Sequence, residues 1–462
     1  MTKRKIIALS LIAAFLITGN VTFSEVAVSK QLNATVSDYR LEYINKNWWD
    51  KFHDPILKDY VLKAVNNNYD LKIASLRVLQ SKELVRESFG KELPSLDASS
   101  YFTRQKTSAN VGMGSFKLPS YTQNAYSFPL SVNYELDLWR KNRDKTLSLE
   151  KELEAMKYQE KATYISLISD VASAYFNVIN TDKQIQLQQD IIKLRQSIFD
   201  MLKENNKYGL ATTTDVIQAD KSLTEAESGI LDLKKQQNVF LNQLAVLTGD
   251  SVSNAGSLKR ASIDEMTFIN DLPVEIKSDV VKERPDIMQA EAEIQKLKLD
   301  IKVARKDFLP TINILGEFGF NANSFNKVLN WDSYIANIAP TITQGIFAGG
   351  QHRARLKAKK YEYQQMLENY QKTILQSFQE INDSLAALKY DNKKNENNID
   401  RLDMEKENLK LKNIEYEKGA ISYLDLLQYK ENVLTLEREQ IQSKTDCFVD
   451  SLSLYKAAGG KL

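Results

Sequence analysis

From Trp139 to Lys207 the chain has no Pro and no Gly, and apolar residues recur every three or four positions, as at Leu187, Ile191, Leu194, Ile198 and Leu202. That period predicts one continuous α-helix. At 1.5 Å per residue it would run roughly 100 Å. No globular core is that long, and the apolar stripe is narrow, as in coiled-coil packing. Residues 351–418 form a second run without Pro or Gly and predict an equal helix. Each long run ends at a Gly and is followed by a helix of about half the length, Thr213 to Leu247 in the first case and from past Gly419 to about Ala457 in the second. Half-length helical patterns also precede the long ones. The first runs from Pro55 to Glu92, with Leu57, Val61, Leu62, Val65, Leu71, Ile73, Leu76 and Leu79 as its apolar positions, and the second runs from Pro285 to Phe308. Both stop at a Leu-Pro pair, Leu93-Pro94 and Leu309-Pro310.

Between these helices the period switches to two. Phe128, Leu130, Val132, Tyr134 and Leu136 alternate with polar residues. Ile312, Ile314, Phe318 and Phe320 do the same, as do Tyr334, Ala336, Ile338, Pro340 and Ile342. These patterns predict strands at about 95–106, 126–136, 311–320 and 331–343, each with one apolar face. Pro129 predicts a bend or an irregular strand end. The plan helix–strand–strand–helix–helix therefore occurs twice, in 25–250 and 276–458, joined by a polar linker at 251–275. The long hairpins fall at 139–248 and 351–457, and the repetition marks an internal duplication.

The two hairpin tips echo each other. Tyr208 to Gln218 reads YGLATTTDVIQ, and Tyr416 to Gln428 reads YEKGAISYLDLLQ. Gly209 and Gly419 stand 210 residues apart (419 − 209), and each is followed six positions later by an Asp, Asp215 or Asp425. Gly supplies the left-handed residue that ends a helix. Thr212 and Ser422 then cap the next helix, with the Asp three positions on as a capping-box variant. Either Asp alone reads as a helix-start acid facing the dipole.

Composition narrows the chemistry. The chain has 62 Lys plus Arg against 60 Asp plus Glu, which argues against nucleic acid as a partner. Only His53 and His352 are available, neither in a recognisable constellation, so no catalytic set, metal site or cofactor is expected. The single Cys447 lies in a helical pattern and reads as a small packed hydrophobe. Lys3, Arg4 and Lys5 precede the apolar run Ile6 to Ile17, which predicts a signal peptide over 1–24. In LITGN, Leu16 to Asn20, Asn20 stands where a lipoprotein would carry its lipidated Cys, so a non-lipidated protein is expected. No later helix is apolar enough to span a bilayer, so any membrane entry would be by strands.

Four strands per chain cannot close a membrane barrel, because single-chain barrels begin at eight. Three chains would supply twelve strands and two would give a minimal barrel. The long helices would hang from that barrel as a tube, with the half-length helices stacked end to end. An exported coiled-coil scaffold without a channel is the rival from another class; the alternating strands speak against it.

The chain resembles the TolC-like outer-membrane efflux proteins, the exit ducts of tripartite pumps and type I secretion systems. The resemblance rests on WWDKFHDPIL, NNNYDLKIASLRV, LPSLDASSYF, YELDLWRKNR, SDVASAYFNVI, YGLATTTDVIQA and NQLAVLTG in the first half. In the second half it rests on ERPDIMQAEAEI, FLPTINILGEFGF, IFAGGQHR and GAISYLDLLQ. It is most similar to the branch serving resistance–nodulation–division pumps. The resemblance implies a mainly α homotrimer, with an α-helical barrel in the periplasm and a shared 12-stranded transmembrane β-barrel in the outer membrane. It implies passive passage of drugs or other toxic compounds, with a periplasmic adaptor protein and an inner-membrane pump as partners. A type I protein secretion channel is the alternative. Leu424 is implied as the narrowest apolar ring and Asp425 as an acidic ring, where neighbouring carboxylates invite raised pKa values. Tyr416 and Asp215 match a latch between tips, Thr214 and Gln428 complete the gate, and Gly209, Thr212, Gly419 and Ser422 match the adaptor-docking positions. The chain departs from many relatives at three places. Gln428 replaces an acid, Ile421 replaces an Arg of the latch, and Arg140 follows Trp139 where Gly is common.

Overall fold

Asp54 and Pro55 start the first helix, α1 (Pro55–Asn67). Pro sits at the first turn, where no N–H is missed, and the Asp54 carboxylate accepts from Ile56 N (2.8 Å) and Leu57 N (3.3 Å). Two long hairpins dominate the chain. One is α3 (Lys141–Lys207) with α4 (Thr213–Thr248), and the other is α7 (Gln351–Glu417) with α8 (Tyr423–Ala457). The long helices have 67 residues each, about 100 Å of rise. The computed structural model describes residues 52, 54–109, 119–266 and 279–461, all in the unit Phe52–Leu462. The predicted leader, Asn20, the Trp48-Trp49 pair and His53 lie outside the described residues.

The helix expected from Pro55 to Glu92 is two helices, α1 and α2 (Tyr69–Gly90). Asn68 breaks them with ψ 132°, caps Leu71 N at 3.0 Å and donates from Nδ2 to Leu247 O at 3.0 Å. This side chain offers the backbone a cap in place of a helical bond. The second repeat opens likewise with α5 (Asp279–Lys282) before α6 (Pro285–Lys306). Arg284, at this second break, is buried. Its guanidinium donates to Asp286 (2.8 Å), Glu380 (2.6 Å) and the Ala457 carbonyl (2.6 Å), so it pins three helices as well as preceding a helix start. The linker is not a free polar tether where it is described. Val252–Ser257 and Ile263–Glu265 form 3-10 turns, and Ala255 and Ile263 are buried. Ala255 packs on Val178, Leu241 and Ala245.

Helix contacts set an order. Along the tip half α4 packs on α3, α3 on α8 and α8 on α7, and along the other half α2, α3, α6 and α7 follow one another. The core lies where these rows meet. Phe176 stacks on Phe448 at 4.8 Å, Phe52 closes on both, and Tyr175 Oη donates to Asp54 at 2.6 Å. Cys447 is buried there, and burial pushes its thiol up to about 12. The inner helix α3 buries 22 of its 67 residues, whereas the edge helix α7 buries five of 67. An edge helix with Leu375, Tyr390, Met404 and Leu411 exposed has an unfilled packing side.

The strands form one antiparallel sheet. β1 (Ser95–Ala98) and β2 (Tyr101–Thr107) pair in one register with β3 (Tyr121–Glu135), which pairs with β4 (Thr311–Ala322), which pairs with β5 (Tyr334–Thr343). β1 and β2 are thus one strand interrupted at residues 99–100, opposite Pro129 and Phe128. Pro129 stands inside β3 rather than at its end, and faces Gly319. A Cβ at Gly319 would collide with the Phe128 and Pro129 backbone, so only Gly admits this approach. β3 begins at Tyr121, earlier than expected, because Asn124, Gln123 and Thr122 pair with Arg104, Gln105 and Lys106, polar on both sides. Residues 331–333 form a 3-10 turn instead of strand, tied by Ser333 Oγ to Lys327 O at 2.9 Å.

Arg140, at the start of α3, has φ 58°, the one positive φ at a non-glycine among the described residues. Its counterpart 210 residues on, Gly350, has φ 84° (350 − 140). Only glycine adopts this region without steric cost. Arg140→Gly should stabilise the fold by about 0.5–1 kcal/mol after the glycine's extra unfolded-state entropy is subtracted. Denaturant midpoints of the two proteins at equal m-value check this; a lower midpoint for the variant refutes the strain.

Candidate functional site at the hairpin tips

Each tip closes with the same set of backbone bonds. Leu210 N donates to Asn205 O (2.9 Å) and Gly209 N to Asn206 O (3.1 Å); Ala420 N donates to Glu415 O (2.8 Å) and Gly419 N to Tyr416 O (2.9 Å). This is the Schellman pairing, with Gly209 at φ 68° and Gly419 at φ 72° in the left-handed position. No atom lies within 4 Å of where a Cβ would stand on either glycine, so a side chain there would meet backbone strain and not a clash.

The following helices start with reciprocal capping boxes. The Asp215 carboxylate accepts from Thr212 Oγ1 (2.7 Å) and Thr212 N (2.9 Å), while Asp215 N donates to Thr212 Oγ1 (3.2 Å). Asp425 and Ser422 repeat the arrangement at 2.7, 3.1 and 3.1 Å. The hydroxyl bond from Thr212 or Ser422, then the backbone N–H, holds each Asp below the usual carboxylate range. Within one chain, therefore, these acids are shifted down, opposite to the raised values expected for a carboxylate ring. A depressed folded pKa contributes stability above the unfolded value of about 3.9, and that stability is lost as pH falls through the folded values. Acid thus loosens both tips.

A groove of about 650 Å³ runs between the two tips. It brings together Asp215, Ser422, Leu424 and Gln428 with Ile198, Met201, Leu202 and Leu210. Leu424 is half-buried there, and Gln428 and Thr214 are exposed. Tyr416 lies against Tyr423, ring centroids 5.5 Å apart. No hydrogen bond joins Tyr416 to Asp215 among the described residues; the Asp215 carboxylate is engaged by its own cap. Leu426 and Leu427 are buried beneath the groove.

One residue of this region is invisible to motif reading. Arg195 on α3 donates to Glu431 on α8 (2.6 and 2.9 Å) and to Ser222 O on α4 (2.7 Å), so it clamps both hairpins just behind the tips. Arg438 does the same further up, donating to Gln184 (3.0 Å) and Gln188 (2.7 Å). Arg195 sits on the polar flank of an apolar stripe, and only the pairing of α3 with α8 reveals its partner.

A duplicated pair of helical hairpins, hung from strands with an uncovered apolar face, is the build of a TolC-like outer-membrane channel. Residues 61–250 and 277–460 match the family model described as "Outer membrane efflux protein", and the chain belongs to that family. The chain is 27% identical over 419 residues to the probable efflux pump outer membrane protein TtgC of Pseudomonas putida, covering 90% of this chain and 85% of that one. It is 25% identical over 421 residues to the cation efflux system protein CusC of Escherichia coli, covering 90% and 89%. The solved CmeC outer membrane channel of Campylobacter jejuni superimposes with a TM-score of 0.83 at 25% identity, over 90% of this chain and 88% of that one. The family is one of channels and not of enzymes, and this chain is an outer-membrane component of efflux pumps.

Replacing Thr212 and Ser422 together by Ala should speed amide exchange roughly fivefold in the first turns of α4 and α8, the effect of losing one cap per helix. Hydrogen exchange read by mass spectrometry checks this; unchanged rates at 213–216 and 423–426 contradict it.

Proposed function

We propose that three copies of this chain form an exit duct through the outer membrane, opened at the hairpin tips by a periplasmic adaptor that couples it to an inner-membrane pump. The observation that carries the reading is the alignment of the strand faces. Val132, Gly316 and Ile338 stand in register, as do Leu130, Phe318 and Ala336, and Ile312 with Ile342. Leu96 and Ala98 fall in the same rows, opposite Val132 and Leu130. The result is one apolar face that no helix covers among the described residues, with Ile338 and Ile342 about 70% exposed. The opposite face carries Ser131, Asn133, Glu317, Asn337 and Thr341. An apolar outside and polar inside suit a membrane barrel.

Two aromatic groups flank that face. Tyr126 contacts both Phe102 and Phe325 near the loops, and Phe320, Trp331 and Tyr334 contact one another there. Trp139, fixed by its Nε1 to Pro310 O at 2.7 Å, and Phe308 lie at the helix end. Paired girdles of this kind mark the two interfaces of a bilayer. The sheet edges, β1 with β2 on one side and β5 on the other, are unpaired among the described residues. Four strands per copy and three copies give twelve. The exposed tip residues Tyr208, Leu210 and Ile217 would then face the adaptor, together with Gly209 and Gly419. Names of relatives speak of efflux pumps for antibiotics and cations, which supports small toxic solutes over secreted proteins as cargo. Anchoring by strands alone, without a lipid, follows from Asn20.

In this reading Leu424 of three copies narrows the pore, with Tyr416, Thr214, Asp215, Asp425 and Gln428 around it. Three apolar side chains on one axis disfavour water, and a hydroxyl there would admit it. Leu424→Ser should raise basal single-channel conductance in planar bilayers. Unchanged conductance from correctly assembled protein removes Leu424 from the constriction; no pores from wild-type protein remove the duct.

A further inference from the structure

Where the strands give way to helices, three short segments converge. Residues 140–145, 305–307 and 353–357 hold nine Lys or Arg and two Asp, a balance of +7 (9 − 2) in a chain whose net charge is +2. They form one belt. Lys306 Nζ donates to the Arg140 carbonyl (3.0 Å) and to Asp144 (2.6 Å). Lys141 (2.7 Å) and Arg355 (3.2 Å) share Asp307. Burial pushes the Asp307 carboxyl up, but these two cations together hold it below the usual range. Both acids of the belt are therefore committed. Arg140, Arg305, Arg353 and Lys357 are exposed and make no ion pair among the described residues.

On the strand side of the belt lies exposed apolar surface. Leu138 and Trp139 precede Arg140 directly, Phe308 and Leu309 follow Arg305, and Ile346 and Phe347 are at least 90% exposed ahead of Arg353. The order along each connection is thus apolar body towards the strands, cation towards the helices. That is the arrangement of side chains that bury in acyl chains and reach out to headgroups. Arg140 adds a second argument. It keeps a guanidinium at a left-handed position that Gly350 occupies without strain in the other repeat. A strained residue whose guanidinium makes no ion pair among the described residues points to a partner outside the chain.

We propose that this belt binds anionic phospholipid headgroups of the leaflet nearer the helices, with Arg140, Arg305, Arg353 and Lys357 as the phosphate-facing cations. The inference rests on the membrane-barrel reading above. Guanidinium donors match phosphate oxygens in a forked geometry, and three copies around a barrel would make the belt continuous. Lipid is favoured over an acidic protein because the cations border uncovered apolar surface.

The test compares full-length wild-type protein with the double variant Arg140→Gly, Arg353→Gln. Each is placed in nanodiscs of phosphatidylcholine alone or of equal parts phosphatidylcholine and phosphatidylglycerol. Wild type should melt at a higher temperature in the anionic discs, the gain should shrink with added salt, and the double variant should lose the gain. In neutral discs the Arg140→Gly single variant should be at least as stable as wild type, which separates lost lipid binding from a folding defect. No gain for wild type, or an equal gain for the double variant, overturns the proposal. So does an equal gain from inorganic phosphate in neutral discs, which would make the belt a free-anion site, or wild-type stabilisation by a soluble acidic peptide alone. Conductance in neutral bilayers is measured alongside. Pores together with no anionic-lipid gain in melting temperature defeat this proposal only, whereas absence of pores defeats the barrel reading itself.

Discussion

Backbone N–H and C=O groups cannot go unpaired in hydrocarbon, because no water is there to satisfy them. That constraint governs this chain more than any side-chain interaction. Among the described residues its sheet has two open edges, β1 with β2 and β5, and its apolar face is uncovered. A hairpin edge in water is an aggregation liability; in a bilayer it is prohibitive. The edges are resolved only if β5 of one copy meets β1 and β2 of the next. In the proposed trimer that meeting also places the helices: the exposed side of α7 would face a neighbour's α2 and α4, and the tips of three copies would converge.

The helices contribute little apolar driving force at their edges. What registers them within the chain is polar: Arg195 to Glu431 and Ser222, Arg438 to Gln184 and Gln188, Arg284 to Glu380 and Ala457. A narrow apolar stripe lets helices slide by a turn at modest cost, whereas a fixed donor fork does not. These cross-links join the first repeat to the second or the short helices to the long ones. They hold each chain as a unit behind the tips, where the caps and glycines are exposed. In the proposed duct, a gate would draw on that division between a cross-linked wall and an exposed end.

Much of the architecture could be read in the sequence, because it is written in periods. Two Pro-free and Gly-free runs became helices of 67 residues, and Gly209, Gly419, Asp215 and Asp425 took their expected turn and cap positions. The strands' apolar faces were also legible, since alternation is local. What escaped was set by partners distant in sequence. The Asn68 break depends on Leu247 O, the docked linker on Val178 and Leu241, and Arg195 on a helix more than 200 residues away. The interruption between β1 and β2 depends on Pro129 across the sheet, and the far end of β3 was hidden because polar residues pair there on both faces. At the tips, spacing alone could place Tyr416 on α7 and Leu424 on α8, but not the groove Leu424 shares with α3 and α4, nor the ring Tyr416 lies against.

In the proposed duct the open sheet edges close between copies, and three copies suffice. β1 and β5 carry the two edges, and the shear of a closed barrel staggers one copy's β5 against the next copy's β1. With buried Cys447 replaced by Ala, a cysteine at Asp97 combined in turn with cysteines along β5, from Tyr334 to Thr343, and a short bismaleimide should link chains in the membrane at the register that pairs the edges. A closed trimer gives a ladder of monomer, dimer and trimer that stops at trimer. A ladder that stops at dimer, runs on to larger species or never leaves monomer would contradict it.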